Sequence, residues 1–128
     1  MSNYYESELY GLSDRAKATW AEMQKDILAT CNEMKLTKEQ TEKMMRREFV
    51  SLKYADLDNC IKKYGAMLNP DQYVEVRRDM ERARNEYTLI GAQNKKLCQE
   101  FGANLQRRMQ NKQKTNKAAP QRKPKPAA

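Results

Sequence analysis

Apolar residues recur at alternating steps of three and four over two long stretches of this chain, and this spacing restricts the fold more than any other feature. Such spacing places side chains along one narrow stripe of an α-helix, as in the seam of a coiled coil. The first stripe consists of Val50, Tyr54, Leu57, Ile61, Tyr64 and Leu68, and the second of Tyr73, Val76, Met80, Ala83, Tyr87, Ile90, Asn94, Leu97 and Phe101. The sequence therefore predicts long helices that pack through narrow seams.

Residues typical of helix N-termini precede each apolar stripe. Ser13 is placed to cap a first helix, whose own stripe runs from residue 16 to residue 34. Thr37 with Gln40, and Asn69 with Gln72, each have the spacing of a capping box, and a proline follows Asn69 at the first helical position. The predicted helices cover residues 13–35, 38–65 and 70–110.

The link at residues 66–69 is so short that the second and third helices must lie antiparallel. The first helix is shorter than either of them and can cover only about half of that hairpin. We therefore expect an all-α fold, an elongated three-helix antiparallel coiled-coil bundle with a flexible basic C-terminal tail. One end of the bundle is left half-uncovered, to be covered by the N-terminal leader or by another chain. Asn94 is the one polar residue in the seam of the third helix, where such an Asn can fix the register or the oligomeric state.

Charge divides the chain into a neutral body and a basic tail. The chain has 25 basic and 17 acidic residues, and the last acidic residue is Glu100. Eight basic residues follow Leu105, so removing them leaves 17 in residues 1–105, which the 17 acidic residues balance. The predicted organisation is a tyrosine-rich leader (1–12), a helical bundle (13–105) and a basic, disordered tail (106–128).

The tail is the strongest functional signal, because a run of basic residues without acids is typical of a segment that binds polyanions. Its basic residues are Arg107, Arg108, Lys112, Lys114, Lys117, Arg122, Lys123 and Lys125. The tail contains no aromatic residue on which a base could stack, so its binding should depend on phosphate and not on base sequence. An acidic protein, an anionic membrane surface, or no partner at all are the alternatives.

Two other groups are candidates for binding. A second basic patch is predicted where the antiparallel hairpin brings Arg46 and Arg47 near Lys95 and Lys96; ion pairing within the bundle is the favoured alternative for these residues. The leader carries three tyrosines that are expected to contact the uncovered end or a partner: Tyr4, Tyr5 and Tyr10.

The residue types that most catalytic and metal sites require are scarce. The chain has no histidine, and its four glycines are too scattered for a phosphate-binding loop. Its three cysteines, Cys31, Cys60 and Cys98, form no CxxC pair, which argues against a zinc site or a disulfide framework. We expect a non-enzymatic protein with no cofactor, metal or small-molecule substrate, in a reducing, cytoplasmic compartment, neither secreted nor membrane-spanning.

Two functions fit this sequence. The first is a nucleic-acid-binding accessory or structural protein, acting on DNA or RNA within a larger assembly, whose tail contacts the phosphate backbone non-specifically. The second is an assembly adaptor or scaffold whose helical bundle and tail bind other proteins. In both, the bundle is expected to contact a protein partner or to self-associate.

Overall fold

A computed structural model describes residues 4–121 of the chain, and the side chains of residues 4–112. The described residues form helices and contain no strand, which confirms the all-α prediction. The helices are α1 (Glu6–Leu9), α2 (Asp14–Glu33), α3 (Lys38–Tyr64), α4 (Pro70–Gln93) and α5 (Lys95–Gln121), with a short 3-10 turn at Gly65–Met67 between α3 and α4.

The predicted caps are present at the starts of α2, α3 and α4. The Ser13 hydroxyl accepts a hydrogen bond from the backbone N–H of Ala16 at 3.1 Å. In the capping box of α3, the side chains of Thr37 and Gln40 each accept a hydrogen bond from the backbone N–H of the other residue, at 3.1 and 2.9 Å. Asn69 and Gln72 form the same capping box at the start of α4. Each cap satisfies backbone donors that have no partner inside the helix.

The third predicted helix is not continuous. Asn94, with φ −131° and ψ 42°, separates α4 from α5, so the prediction of a single helix over 70–110 is wrong. Its side-chain amide donates to the carbonyl of Ile90 at 3.0 Å, one of the local bonds by which Asn competes with regular helix. The apolar spacing continues across this break, because the spacing of apolar residues does not depend on a change in the direction of the helix axis.

The helices pack as an antiparallel hairpin with α2 on one side. Arg46 of α3 pairs with Glu86 of α4, which places the two helices in opposite directions. Ser13, at the start of α2, donates its backbone N–H and its hydroxyl to the Asp56 carboxylate at 3.0 and 2.6 Å. Helix α5 packs against α2, and the described structure does not confirm a three-helix bundle.

The core lies where α2, α3 and the leader meet. Trp20 and Phe49 are fully buried and pack edge to face with ring centroids 5.1 Å apart. Tyr5 packs on Phe49 at 4.8 Å. The Trp20 indole N–H donates to the carbonyl of Tyr4 at 3.0 Å, so its one polar group is satisfied inside the core.

Helix α2 begins level with Asp56, so within the described residues the hairpin extends beyond the start of α2. Of the apolar-stripe residues, five that lie near α2 or the leader are buried: Trp20, Ile27, Val50, Leu57 and Met80. Four others are only partly buried: Ile61, Val76, Tyr87 and Leu97. We call the exposed apolar residues at this end the hairpin tip: Tyr64, Met67, Tyr73 and Val74, which are 51%, 80%, 40% and 50% exposed.

Replacing Phe49 with alanine should lower the free energy of unfolding by about 3–5 kcal/mol, because it empties the centre of the aromatic core. Leu89, which is 55% exposed, is the matched control, and Leu89→Ala should change stability by less than about 0.5 kcal/mol. Urea unfolding followed by circular dichroism measures both values. Equal losses in the two variants would contradict this location of the core.

Candidate nucleic-acid interface

The eight predicted phosphate-binding residues begin on α5 and extend past its end. The charge boundary after Leu105 is not a structural boundary, since α5 passes through it and reaches Gln121. Side chains are described for Arg107, Arg108 and Lys112. Lys114 and Lys117 lie on α5 beyond the described side chains, and Arg122, Lys123 and Lys125 lie outside the described residues.

Two of the described cations are bound to carboxylates of α2. Arg108 donates from Nη2 to Glu33, and Lys112 Nζ lies 3.2 and 3.4 Å from the two carboxylate oxygens of Asp26. Asp26 is buried, with 8% of its surface exposed, so Lys112 supplies the counter-charge that a buried carboxylate requires. These two side chains therefore contribute to the packing of α5 on α2.

Arg107 lies on a different face of α5. Its guanidinium donates to the side-chain oxygen of Asn104 at 3.0 Å, one turn back along the same helix, and the residue is exposed. A neutral amide is a weaker partner than a carboxylate, so Arg107 has donors to offer an incoming phosphate.

The second predicted basic patch is not a solvent-facing cluster. Arg46 binds Glu8 and Glu86, and Arg47 lies over the ring of Tyr87 at 4.3 Å from its centroid. The side chains of Arg46 and Arg47 are only 24% and 18% exposed, while Lys95 and Lys96 are exposed at the start of α5. Arg46 is thus ion-paired within the bundle, whereas Arg47 packs on an aromatic ring.

The three leader tyrosines have different environments. Tyr5 packs into the core between Trp20 and Phe49, and its burial raises the pKa of its hydroxyl. The backbone N–H of Tyr4 donates to the Gln24 side chain at 3.0 Å, while 40% of Tyr4 and 79% of Tyr10 are exposed. Residues 4–12 of the leader thus pack on the Trp20 region of the bundle.

The strongest ion-pair cluster holds the leader to the hairpin, and no sequence pattern indicated it. Glu8 accepts bonds from Arg46 at 2.6 Å and from Lys53 at 3.1 Å, and Arg46 also binds Glu86. Burial alone would raise the pKa of Glu8, but the bonds from Arg46 and Lys53 outweigh it and leave that pKa below its ordinary value. Glu86 and Glu8 together raise the pKa of Arg46.

The cysteines stand apart from this chemistry. Burial raises the pKa of the Cys31 and Cys98 thiols, which disfavours the reactive thiolate form. Within residues 4–121 no group of three or more potential ligand side chains is placed to hold a metal ion, and no helix there is long and apolar enough to cross a membrane.

Comparison of the chain with protein-family models, with curated proteins and with solved structures finds no significant match.

Substituting Glu8 with glutamine should lower the free energy of unfolding at neutral pH by about 1–2 kcal/mol, since it removes charge-assisted bonds to Arg46 and Lys53. A carboxyl whose folded pKa is depressed stabilises the fold above its ordinary value of 4.5, and this contribution disappears as the pH falls through the folded value. The wild type and Glu8→Gln should therefore converge in stability in acid. Denaturant unfolding across the acid range measures this.

The exposed neighbour Glu6 provides the control, and Glu6→Gln should have little effect at any pH. A stability difference for Glu8→Gln that stays constant down to the most acidic condition would show that the ionised carboxylate is not what holds the leader.

Proposed function

We propose that this protein is a non-enzymatic nucleic-acid-binding accessory or structural protein, which works within a larger assembly and contacts phosphate backbone through its basic C-terminal segment. The charge distribution carries this proposal: residues 1–105 are neutral, and residues 106–128 hold eight basic and no acidic residues. Such a segment gains affinity for a polyanion by releasing condensed counterions.

The geometry of α5 supports this function. The helix is anchored to the bundle at its beginning, where Cys98 and Phe101 are buried, and it carries the first basic residues away from that anchor. Arg107 is exposed on it. A rigid attachment lowers the entropy lost when the segment binds, because part of it is already ordered.

A polyanion bound in this way should be sensitive to salt. Each phosphate neutralised on duplex DNA contributes about −0.9 to the slope of log K against log salt, so eight cations set a limit near −7. If Arg108 and Lys112 stay on α2, six remain and the slope should be about −5. Fluorescence anisotropy with unrelated DNA and RNA oligonucleotides over a salt series gives the slope, and base sequence should matter little.

The matched variant keeps the chain length and replaces five cations beyond Lys112 with glutamine: Lys114, Lys117, Arg122, Lys123 and Lys125. It leaves the contacts of Arg108 and Lys112 intact, so the bundle should stay folded, while affinity should fall by orders of magnitude. The slope should fall to about −1 if Arg108 and Lys112 stay on α2, and it should be no steeper than about −3 in any case. Binding indifferent to salt, or a single tail residue that dominates affinity, would favour the adaptor function.

The hairpin tip favours that second candidate, an adaptor or scaffold that assembles through its bundle. Clustered exposed apolar side chains mark contact sites, and the described contacts of the leader lie at Trp20 and not at this end. A second copy of the chain is the occupant we propose. Lys62 and Lys63 lie on the α3 side of the tip and Asp71 and Glu75 on the α4 side, so a two-fold arrangement brings opposite charges together.

The triple variant Tyr64→Ser, Met67→Ser and Val74→Ser should convert a self-associated protein into monomers in sedimentation equilibrium. A matched triple variant, Tyr10→Ser, Leu89→Ser and Met109→Ser, removes equally exposed apolar side chains elsewhere and should leave association unchanged. A wild type that stays monomeric at high concentration, or equal losses in both variants, would contradict self-association through the tip.

A further inference from the structure

Helix α2 presents two carboxylates to the basic segment, on one face and two turns apart. Asp26 and Glu33 are seven residues apart on α2, and their partners Lys112 and Arg108 are four apart on α5. Both spacings place the pair on a common helix face. The sequence alone did not connect them, since the partners are 86 and 75 residues apart.

Neither ion pair is needed to keep α5 attached to the bundle. Phe101 is fully buried, Cys98 is 6% exposed and Leu105 packs against the core, all on the N-terminal side of Arg108. Arg108 and Lys112 therefore sit at the point where α5 leaves its apolar anchor. These two side chains can exchange one anion for another while the beginning of α5 stays in place.

The Arg108 pair is also incomplete. Its Nη2 donates to Glu33, but its Nε is buried and has no hydrogen-bond partner among the described residues. A guanidinium binds best when two adjacent N–H groups meet two oxygens of one anion, and an unpaired buried donor is unfavourable. A phosphate group, with its several oxygens, can satisfy both donors at once.

We propose that Asp26 and Glu33 are positioning residues that compete internally for Arg108 and Lys112, so that these two cations stay on α2 when the basic segment binds a phosphate polymer. This inference rests on the proposed function. A single carboxylate on a partner offers these cations no more than α2 already provides. The other cations of the segment bind the polymer and release its counterions, so the internal competition withholds two phosphate contacts from the complex.

The internal pairs reduce the apparent affinity for every external anion. When only a fraction of molecules has a competent site, the observed dissociation constant increases by the inverse of that fraction. This factor is the same for every anion that has to recruit both cations. Removing the competitors should therefore increase affinity for nucleic acid and for acidic polypeptides alike.

The test is the double variant Asp26→Asn and Glu33→Gln in the full chain. The probes are a single-stranded and a duplex oligonucleotide, inorganic polyphosphate, and poly-glutamate, each in a salt series. On duplex DNA the slope of log K against log salt should steepen by up to about 1.8, because two more cations are free to neutralise phosphates. Affinity for poly-glutamate should rise as well, because Asp26 and Glu33 compete with every anion that recruits these two cations.

The matched control is the double variant Asp14→Asn and Glu22→Gln. It removes the same charge from the same helix at two carboxylates whose side chains are 105% and 70% exposed and which pair only with lysines of α2. It should raise affinity slightly through long-range attraction and leave the slope unchanged. An equal effect in both double variants would overturn the inference, since net charge alone would then explain the gain.

The outcomes separate the inference from the proposed function. If oligonucleotide binding depends on salt but is the same in the wild type and in the Asp26→Asn, Glu33→Gln variant, the inference is wrong and the proposed function still holds. Polyphosphate binding that is tighter in this variant, without oligonucleotide binding in either protein, would refute the nucleic-acid function and uphold the internal competition. If Asp26→Asn impairs folding in a thermal melt, Glu33→Gln alone, compared with Glu22→Gln, should steepen the slope by about 0.9.

Discussion

The side chain of Arg46 connects the leader, α3 and α4, and the packing of the leader on the bundle depends on it. It binds Glu8 of the leader and Glu86 of α4, and its guanidinium lies 4.9 Å from the ring centroid of Tyr5 and 5.6 Å from that of Phe49. Only a planar group with five donors can bind two carboxylates at its edge and aromatic rings on its face. A lysine here would keep one charge contact and lose the rest.

The sequence predicted those features that depend on residues a few positions apart. The caps at Ser13, Thr37 and Asn69 were correctly predicted, because a cap is decided by the chemistry of residues within one turn. The position of the leader could not be predicted in this way, since Glu8 and Arg46 are 38 residues apart and no spacing rule relates them. The sequence indicated that Tyr5 needs a partner, but it did not indicate that the partners are Trp20 and Phe49.

The course of α5 shows a second limit of periodicity. The apolar positions continue from Ile90 through Leu97 to Phe101 as if one helix ran on. The direction of α5 depends instead on where Phe101 is buried, which is a tertiary property. In the same way, the change in charge after Leu105 indicated a functional boundary, whereas the backbone continues as helix to Gln121. The charge of the chain thus changes after Leu105, within a helix that continues to Gln121.

In the proposed function, the α2–α5 contact makes stability and binding depend on each other. Lys112 is the counter-charge of the buried Asp26, so a ligand that recruits Lys112 would leave a buried carboxylate without its partner. By linkage, whatever stabilises that ion pair would weaken such binding by the same free energy. Under this proposal, the two carboxylates of α2 lower the affinity of the segment, and in return they stabilise the packing of α5 on the bundle.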